Sequence, residues 1–223
     1  DAEAFSAEAE TIASRGETPL LAAIDRAPAA IFAVADELKP DAAGAVSKLK
    51  SMGMRIAMLT GDRKSTALAI AAKAGIAEVI AEVLPGEKAA AIRNLQQQGR
   101  KVAMVGDGVN DAPALAQADS GIALASGADI ARHAADVTIM NNKLSAVSWA
   151  IGLARKSLRI MRQNLFWAFI YNVIGIPIAA GALFPAYGIQ LSPILASAAM
   201  ALSSVSVVSN SLRLGRVAGK ETP

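Results

Sequence analysis

Residues 104–115 read Met-Val-Gly-Asp-Gly-Val-Asn-Asp-Ala-Pro-Ala-Leu, and the reading of this run decides the fold. An apolar strand, Lys101 to Val105, feeds a glycine-flanked turn that presents Asp107, then Asn110 and Asp111, as a helix begins near Ala112 and Pro113. Two carboxylates therefore converge at the carboxyl end of one strand. The glycines leave room for a phosphate to approach the backbone, and clustered oxygens suit Mg²⁺, a hard cation that prefers carboxylate and phosphate ligands. The bland alternative is an Asp-rich turn that caps a helix. Read as chemistry, the run is a candidate phosphoryl-transfer site.

Outward from this run, short apolar stretches alternate with helix-like ones. Strands are expected at Ala30–Ala35, Arg55–Leu59, Val79–Val83, Lys101–Val105, Gly121–Ala125 and Val137–Met140. Helices are expected at Ala42–Ser51, Arg63–Ala74, Gly86–Gln98, Ala112–Gln117 and Ala128–Ala134, with Gly53, Gly75 and Gly99 as stops. The alternation predicts a parallel sheet of Rossmann-like type. Ligands of such sheets sit beyond the carboxyl ends of the strands, so the tips at Thr60 and Gly106 should be neighbours. Thr60-Gly61-Asp62 follows its strand directly, and its hydroxyl and N–H groups could hold phosphate oxygens before a helix whose N-terminus favours anions. Lys88, at the start of the next helix, could place an ammonium on the same phosphate, although an isolated Lys is more often simply solvated.

Composition separates two regions. The 223 residues are 53% hydrophobic, with mean hydropathy +0.39 and no cysteine, which excludes disulfides and thiolate metal sites within the chain. Residues 1–136 carry 14 basic and 18 acidic side chains, whereas residues 137–223 carry 8 basic ones and only Glu221. Two different solvents are implied. Leu165–Phe184 is uncharged and mostly apolar, and a second such stretch spans about 190–210; each could cross a hydrocarbon core of ~30 Å as a helix. Pro185 to Gly188 would turn between them as an antiparallel hairpin. Lys143, Arg155, Lys156, Arg159 and Arg162 precede the first stretch and Arg213, Arg216 and Lys220 follow the second, so both ends are expected to be cytoplasmic. Leu144–Met161 should form a stalk whose Arg and Lys side chains reach lipid headgroups. The basic residues are not interleaved with base-stacking aromatics, so lipid is the expected partner and nucleic acid is not. His133 is the only histidine and makes no metal site.

Thr60, Lys88, Asp107 and Asp111 resemble, in order and in placement on strand-to-helix junctions, the later motifs of the haloacid dehalogenase superfamily, to which P-type ATPase phosphorylation domains belong. The run 104–115 resembles the hinge motif of those pumps, and Asp36–Pro40, Asp-Glu-Leu-Lys-Pro, resembles the element that precedes their phosphate-binding strand. The resemblance implies that Thr60, Gly61, Asp62 and Lys88 serve the phosphoryl group, that Asp107 ligates Mg²⁺, and that Asn110 and Asp111 support the site. No Asp-Lys-Thr-Gly occurs in the chain, so the aspartate that receives the phosphoryl group is absent, as is the ATP-binding domain. Without its nucleophile the site cannot turn over. Asp1 is read as an internal cut, and a half sheet is expected to be poorly stable alone.

Polar residues inside the apolar stretches complete the pattern. Tyr171-Asn172 lies in the first, and Met200, Ser203 and Ser204 in the second. Met200 and Ser204 share a helix face, and a thioether is a soft ligand suited to Cu(I), yet Met and Ser are also ordinary packing groups in membrane helices. Tyr-Asn followed by Met-x-x-Ser-Ser resembles the signature of the copper(I)-transporting class. Its Cys-Pro-Cys span is absent, as are the Lys and Asp-x-Gly expected of the zinc and cadmium class. The resemblance implies the carboxy-terminal fragment of a copper(I) exporter, with silver as the alternative cargo. ATP would be bound mainly outside this chain, and a cytoplasmic copper chaperone is implied as a partner. The expected parts are a nucleotide-domain remnant and linker (1–29), the second half of the phosphorylation domain (30–143), a stalk (144–163), a transmembrane hairpin (164–210) and a cytoplasmic tail (211–223), in a bacterial inner membrane. A membrane-tethered phosphatase of the same superfamily and a non-enzymatic membrane fragment stay open as alternatives.

Overall fold

The computed structural model describes residues 5–35, 38–107, 109–124, 133–188 and 192–218. The chain divides into two units, Asp1–Ser148 and Trp149–Pro223. The first holds helix α1 (Ser6–Ser14), strands β1 (Glu17–Ile24) and β2 (Ala27–Ala35), α2 (Ala42–Ser51), β3 (Ala57–Leu59), α3 (Lys64–Ala74) and β4 (Glu78–Ile80). It continues through a 3₁₀ turn (Pro85–Glu87), α4 (Lys88–Gln97), β5 (Ala103–Gly106), α5 (Ala112–Gln117), β6 (Ser120–Leu124) and β7 (Val137–Ile139).

The parallel α/β reading holds for five strands. Strands β3 and β4 pair in parallel, with Ala57 opposite Glu78, and β5, β6 and β7 form a second parallel group in that order. Among the described residues the two groups are not joined by strand pairing. The stretch expected at Ala30–Ala35 differs: it belongs to β2, which pairs antiparallel with β1, Leu20 opposite Phe32. Asp25 and Arg26, with φ of 50° and 66°, form a two-residue turn of the left-handed kind that matches the twist of a hairpin. The helix expected at Ala128–Ala134 lies almost wholly outside the described residues, as do Asp36 and Glu37.

The core is built largely from alanine. Ala67, Ala71 and Ala74 of α3 are buried, as are Ala42, Ala45 and Val46 of α2 and Ala9 and Ala13 of α1. Around β5 the buried set is Ile92, Met104, Ala114, Leu115 and Ala123, with Leu59 of β3 packed against it. Apolar packing thus links the two parallel groups although their backbones do not pair. Gly121 is required by contact: a Cβ there would lie 2.6 Å from the Leu115 carbonyl oxygen. Asp119 closes the turn into β6 by accepting from Lys101 Nζ (2.8 Å), Val102 N (3.0 Å) and Gln96 Nε2 (3.1 Å).

The second unit consists mostly of two long helices, α6 (Ser145–Ala179, which begins in the first unit) and α8 (Pro193–Ala218), with a single turn, α7 (Phe184–Tyr187), between them. Polar side chains tie α6 to α8. Asn210 Nδ2 donates to Asn164 Oδ1 (2.8 Å) and Gln163 Oε1 (3.2 Å), and Asn164 Nδ2 donates to Ser211 Oγ (2.8 Å). The first apolar stretch is not helical throughout. Helix α6 stops at Ala179, and Gly181, at φ 86°, redirects the chain before Phe184. From Leu165 to Ala179 the stretch is therefore helical over only about 22 Å, at 1.5 Å per residue. Among the described residues no helix is long and apolar enough to cross a membrane.

Two outcomes follow from this packing. Gly121→Ala is expected to destabilise the fold by about 1–3 kcal/mol through backbone overlap, whereas Gly44→Ala, where a Cβ meets nothing, is expected to be neutral or stabilising by up to ~1 kcal/mol; urea unfolding compares them. The Lys101 ammonium, with the Val102 N–H and the Gln96 amide, holds the Asp119 carboxyl well below its ordinary value of 3.8. A depressed folded pKa contributes stability above that ordinary value, and the contribution disappears as pH falls through the folded one. Wild type should therefore exceed Asp119→Asn in urea midpoint at about pH 7, and the gap should narrow progressively below about pH 4.

Candidate phosphoryl-transfer site

Strand β3 ends at Leu59, and the next three residues make a loop that hydrogen-bonds to itself and to the segment after β4. Thr60 Oγ1 donates to Asp62 Oδ2 (2.8 Å), and the Asp62 N–H donates back to Thr60 Oγ1 (3.2 Å). The backbone is pinned from the other side, since Thr60 N donates to Ile80 O (3.0 Å), Val83 N to Thr60 O (3.1 Å) and Glu82 N to Asp62 O (3.0 Å). Gly61 leaves the carbonyl of Val83 unobstructed, as a Cβ would stand 3.3 Å from it. Glu82 carries no signal in the sequence. It sits at φ 59° and its carboxylate accepts from Lys64 N (3.3 Å) at the start of α3, a place where negative charge is favoured.

The second part of the site is the turn after β5. Gly106 ends the strand, and a Cβ there would lie 2.9 Å from both Cβ and Oδ2 of Asp111. Only a residue without a side chain lets Asp111 fold back onto the strand end. Asp111 then meets Lys88, the first residue of α4, at 2.6 Å between Oδ1 and Nζ, with the two side chains only 13% and 16% exposed. The sequence places Lys88 and Asp111 at one site, and the structure brings them into contact. Asp107 follows Gly106 directly and is exposed, as is Asn110. Gly108 lies outside the described residues.

A divalent cation fits these donors. Asp107 offers a solvent-facing carboxylate, and Asp111 a second one in the same turn; Mg²⁺ is commonly held by one or two carboxylates, with water and phosphate oxygens completing its shell. Among the described residues there is no cluster of three or more His, Cys, Asp or Glu disposed to hold a metal on its own. Phosphate oxygens would have to complete the shell.

Lys39 and Asp41, just before α2, tie the beginning of this unit to its end. Lys39 Nζ donates to Asn142 Oδ1 (2.6 Å), and Asp41 Oδ2 accepts from Ser145 N (2.8 Å), the first residue of α6. Burial opposes ionisation of the Asp41 carboxyl, but the bonds from Ser145 outweigh it and hold the group below its usual range. No sequence spacing foretells them, because 104 residues separate the partners.

The polar residues of the long helices are bonded locally. Asn172 Nδ2 donates to Ala168 O (3.3 Å) and Ser204 Oγ to Met200 O (3.3 Å), each within its own helix. Met200 is 72% exposed, and Ser203 and Tyr171 are half-buried.

The Lys88–Asp111 contact can be tested as a pair. Lys88→Met and Asp111→Ala should each destabilise the fold, and the double variant should cost less than their sum by about 1–2 kcal/mol; additive losses in a urea double-mutant cycle would show the contact to be energetically idle.

Residues 2–119 match the family described as haloacid dehalogenase-like hydrolase. Over 217 residues, 97% of this chain, the sequence is 54% identical to "Copper-transporting ATPase 2" of Rhizobium meliloti (strain 1021), of which it covers 26%. It is 55% identical over 205 residues, 92% of this chain, to "Copper-exporting P-type ATPase" of Vibrio cholerae, of which it covers 22%. The chain thus spans about a quarter of the length of the curated relatives it matches. Among solved structures, a zinc-transporting PIB-type ATPase in the E2.Pi state is similar with a TM-score of 0.78 at 36% identity, covering 96% of this chain and 34% of that one.

Proposed function

This chain belongs to the haloacid dehalogenase-like hydrolases, and from that premise we propose that it is part of an ATP-driven copper(I)-exporting P-type pump, with silver as an alternative cargo. The observation that carries the reading is continuity. The phosphoryl motifs and both long helices lie within one matched stretch, 54% identical to a protein named for copper transport.

In this reading the site acts on an aspartyl phosphate whose aspartate lies in sequence outside residues 1–223. Its strand would find partners at β3 and β5, which share apolar packing through Leu59 yet do not pair with each other among the described residues. Thr60 and the N–H groups of Gly61 and Asp62 would receive phosphoryl oxygens at the end of β3. Lys88 would turn its ammonium from Asp111 toward the same oxygens, neutralising charge as the phosphoryl group transfers. Asp107, with Asp111 in support, would hold Mg²⁺, which supplies charge neutralisation when bound. Asn110 would support that turn.

Helices α6 and α8 are proposed as a membrane hairpin with both ends cytoplasmic, in a bacterial inner membrane. Support comes from apolar side chains that stand open on both helices, among them Phe169, Ile176, Val205 and Val208, each more than half exposed, and from arginines at both flanks. Tyr171, Asn172, Met200, Ser203 and Ser204 would line the copper path, and a cytoplasmic chaperone would deliver the ion. Division into a nucleotide-domain remnant (1–29), phosphorylation half-domain (30–143), stalk (144–163), hairpin (164–210) and tail (211–223) belongs to the same proposal.

In the full-length protein, Asp107→Asn is expected to abolish ATP hydrolysis. Met200→Ala should leave basal hydrolysis and folding intact while lowering copper stimulation by about tenfold, the loss of roughly 1.4 kcal/mol of ligand interaction. Copper stimulation equal to wild type in Met200→Ala would remove that residue from the path, and ATPase activity surviving in Asp107→Asn would remove the aspartyl-phosphate mechanism.

A further inference from the structure

In the second unit, an open cleft between α6 and α8 is lined by Arg155, Arg159, Arg162 and Arg213, with Phe166 and Trp167 at its other end. The arginines of α6 recur at spacings of four and three, so they share one helix face. Arg213 reaches the cleft from α8, where its guanidinium donates to Asn210 Oδ1 (3.3 Å). Asn210 is the residue that crosses to Asn164 and Gln163, so the cross-link between the helices fixes Arg213 beside the arginines of α6.

The guanidiniums of Arg159, Arg162 and Arg213 repel one another across this cleft, and among the described residues no carboxylate lines it. The charge calls for an anion from outside. Guanidinium matches phosphate in bidentate fashion and is more weakly hydrated than ammonium. Along α6 the lining changes from Arg155 and Arg159 to Phe166 and Trp167, whose rings stand edge to face at 5.6 Å, just where the apolar stretch begins. A small soluble phosphate would use the first end and leave the second idle. An amphiphile with a phosphate head and a hydrocarbon tail uses both.

We propose that this cleft is a binding site for the phosphate headgroup of an anionic phospholipid. The proposal rests on the membrane reading of α6 and α8 and adds to it a located, charge-selective site.

The test uses the full-length protein in nanodiscs of phosphatidylcholine mixed with phosphatidylglycerol, with retained lipid counted by native mass spectrometry. Wild type is expected to retain phosphatidylglycerol at least about fivefold above its bulk share, the factor expected of roughly one basic contact at an anionic surface, and Arg159→Gln/Arg162→Gln/Arg213→Gln should retain it at the bulk share. No enrichment in wild type, or undiminished enrichment in the glutamine variant, overturns the proposal. Should that variant fail to accumulate, the charge-retaining Arg→Lys triple carries the test: reduced enrichment supports bidentate recognition, and unchanged enrichment overturns it. Displacement of the lipid by millimolar inorganic phosphate at equal occupancy reassigns the cleft to free phosphate. Vesicle flotation is run in parallel, since a protein that does not float removes the membrane premise itself, whereas one that floats without lipid preference removes only the site.

Discussion

The close approach of Asp111 to Gly106 is the constraint on which the site depends. With no side chain at Gly106, the turn after β5 tightens until the carboxylate of Asp111 lies against the strand end, where Lys88 meets it at 2.6 Å. One contact thereby joins three elements: β5 delivers the glycine, α5 begins beside the aspartate, and α4 begins with the lysine. The buried cluster of Ile92, Met104, Ala114 and Leu115 lies in the same three elements and packs them from the apolar side. Each half needs the other, because the partly buried charges would be costly without a partner and apolar packing alone does not orient them.

The sequence is most informative where chemistry and local geometry coincide. The run 104–115 announces a strand, a tight turn and a helix, and α2 and α5 begin and end where the pattern places them. Lys88 and Asp111 can be assigned to one site because both stand at strand-to-helix junctions of a parallel fold. What cannot be read is what depends on distant partners. The stretch Ala30–Ala35 has the composition of a buried parallel strand, yet its partner is β1, chosen by the turn at Asp25 and Arg26, two residues without the usual glycine. Glu82 and Asp41 escape notice for a similar reason: each acts on a backbone N–H far away in sequence, and a single carboxylate gives no pattern.

The apolar stretches show a different limit. Hydropathy marks where the apolar residues lie but not where a helix stops, and Gly181 interrupts the first stretch before its apolar residues end. The residues proposed for the copper path are singled out by resemblance, and the hydrogen bonds of Asn172 and Ser204 stay within their own helices. The cross-links that do join the helices, from Asn164 to Ser211 and from Asn210 to Asn164, involve residues that carry no functional signal in the sequence. They become visible only once two segments 46 residues apart are placed side by side.

The alanine-rich core has a consequence for how this sequence can vary. Alanine gives up no rotamer freedom on folding and allows helices to approach closely, but each one hides little apolar surface. Ala67, Ala114 and Ala123 are fully buried, so no added methylene has a place to go. Such an interior is limited by distance of approach and not by volume waiting to be filled. Relatives should therefore exchange these positions only among the smallest residues, and gains in stability should arise at the margins, in turns, helix ends and surface charge, where the fold has latitude that its centre lacks.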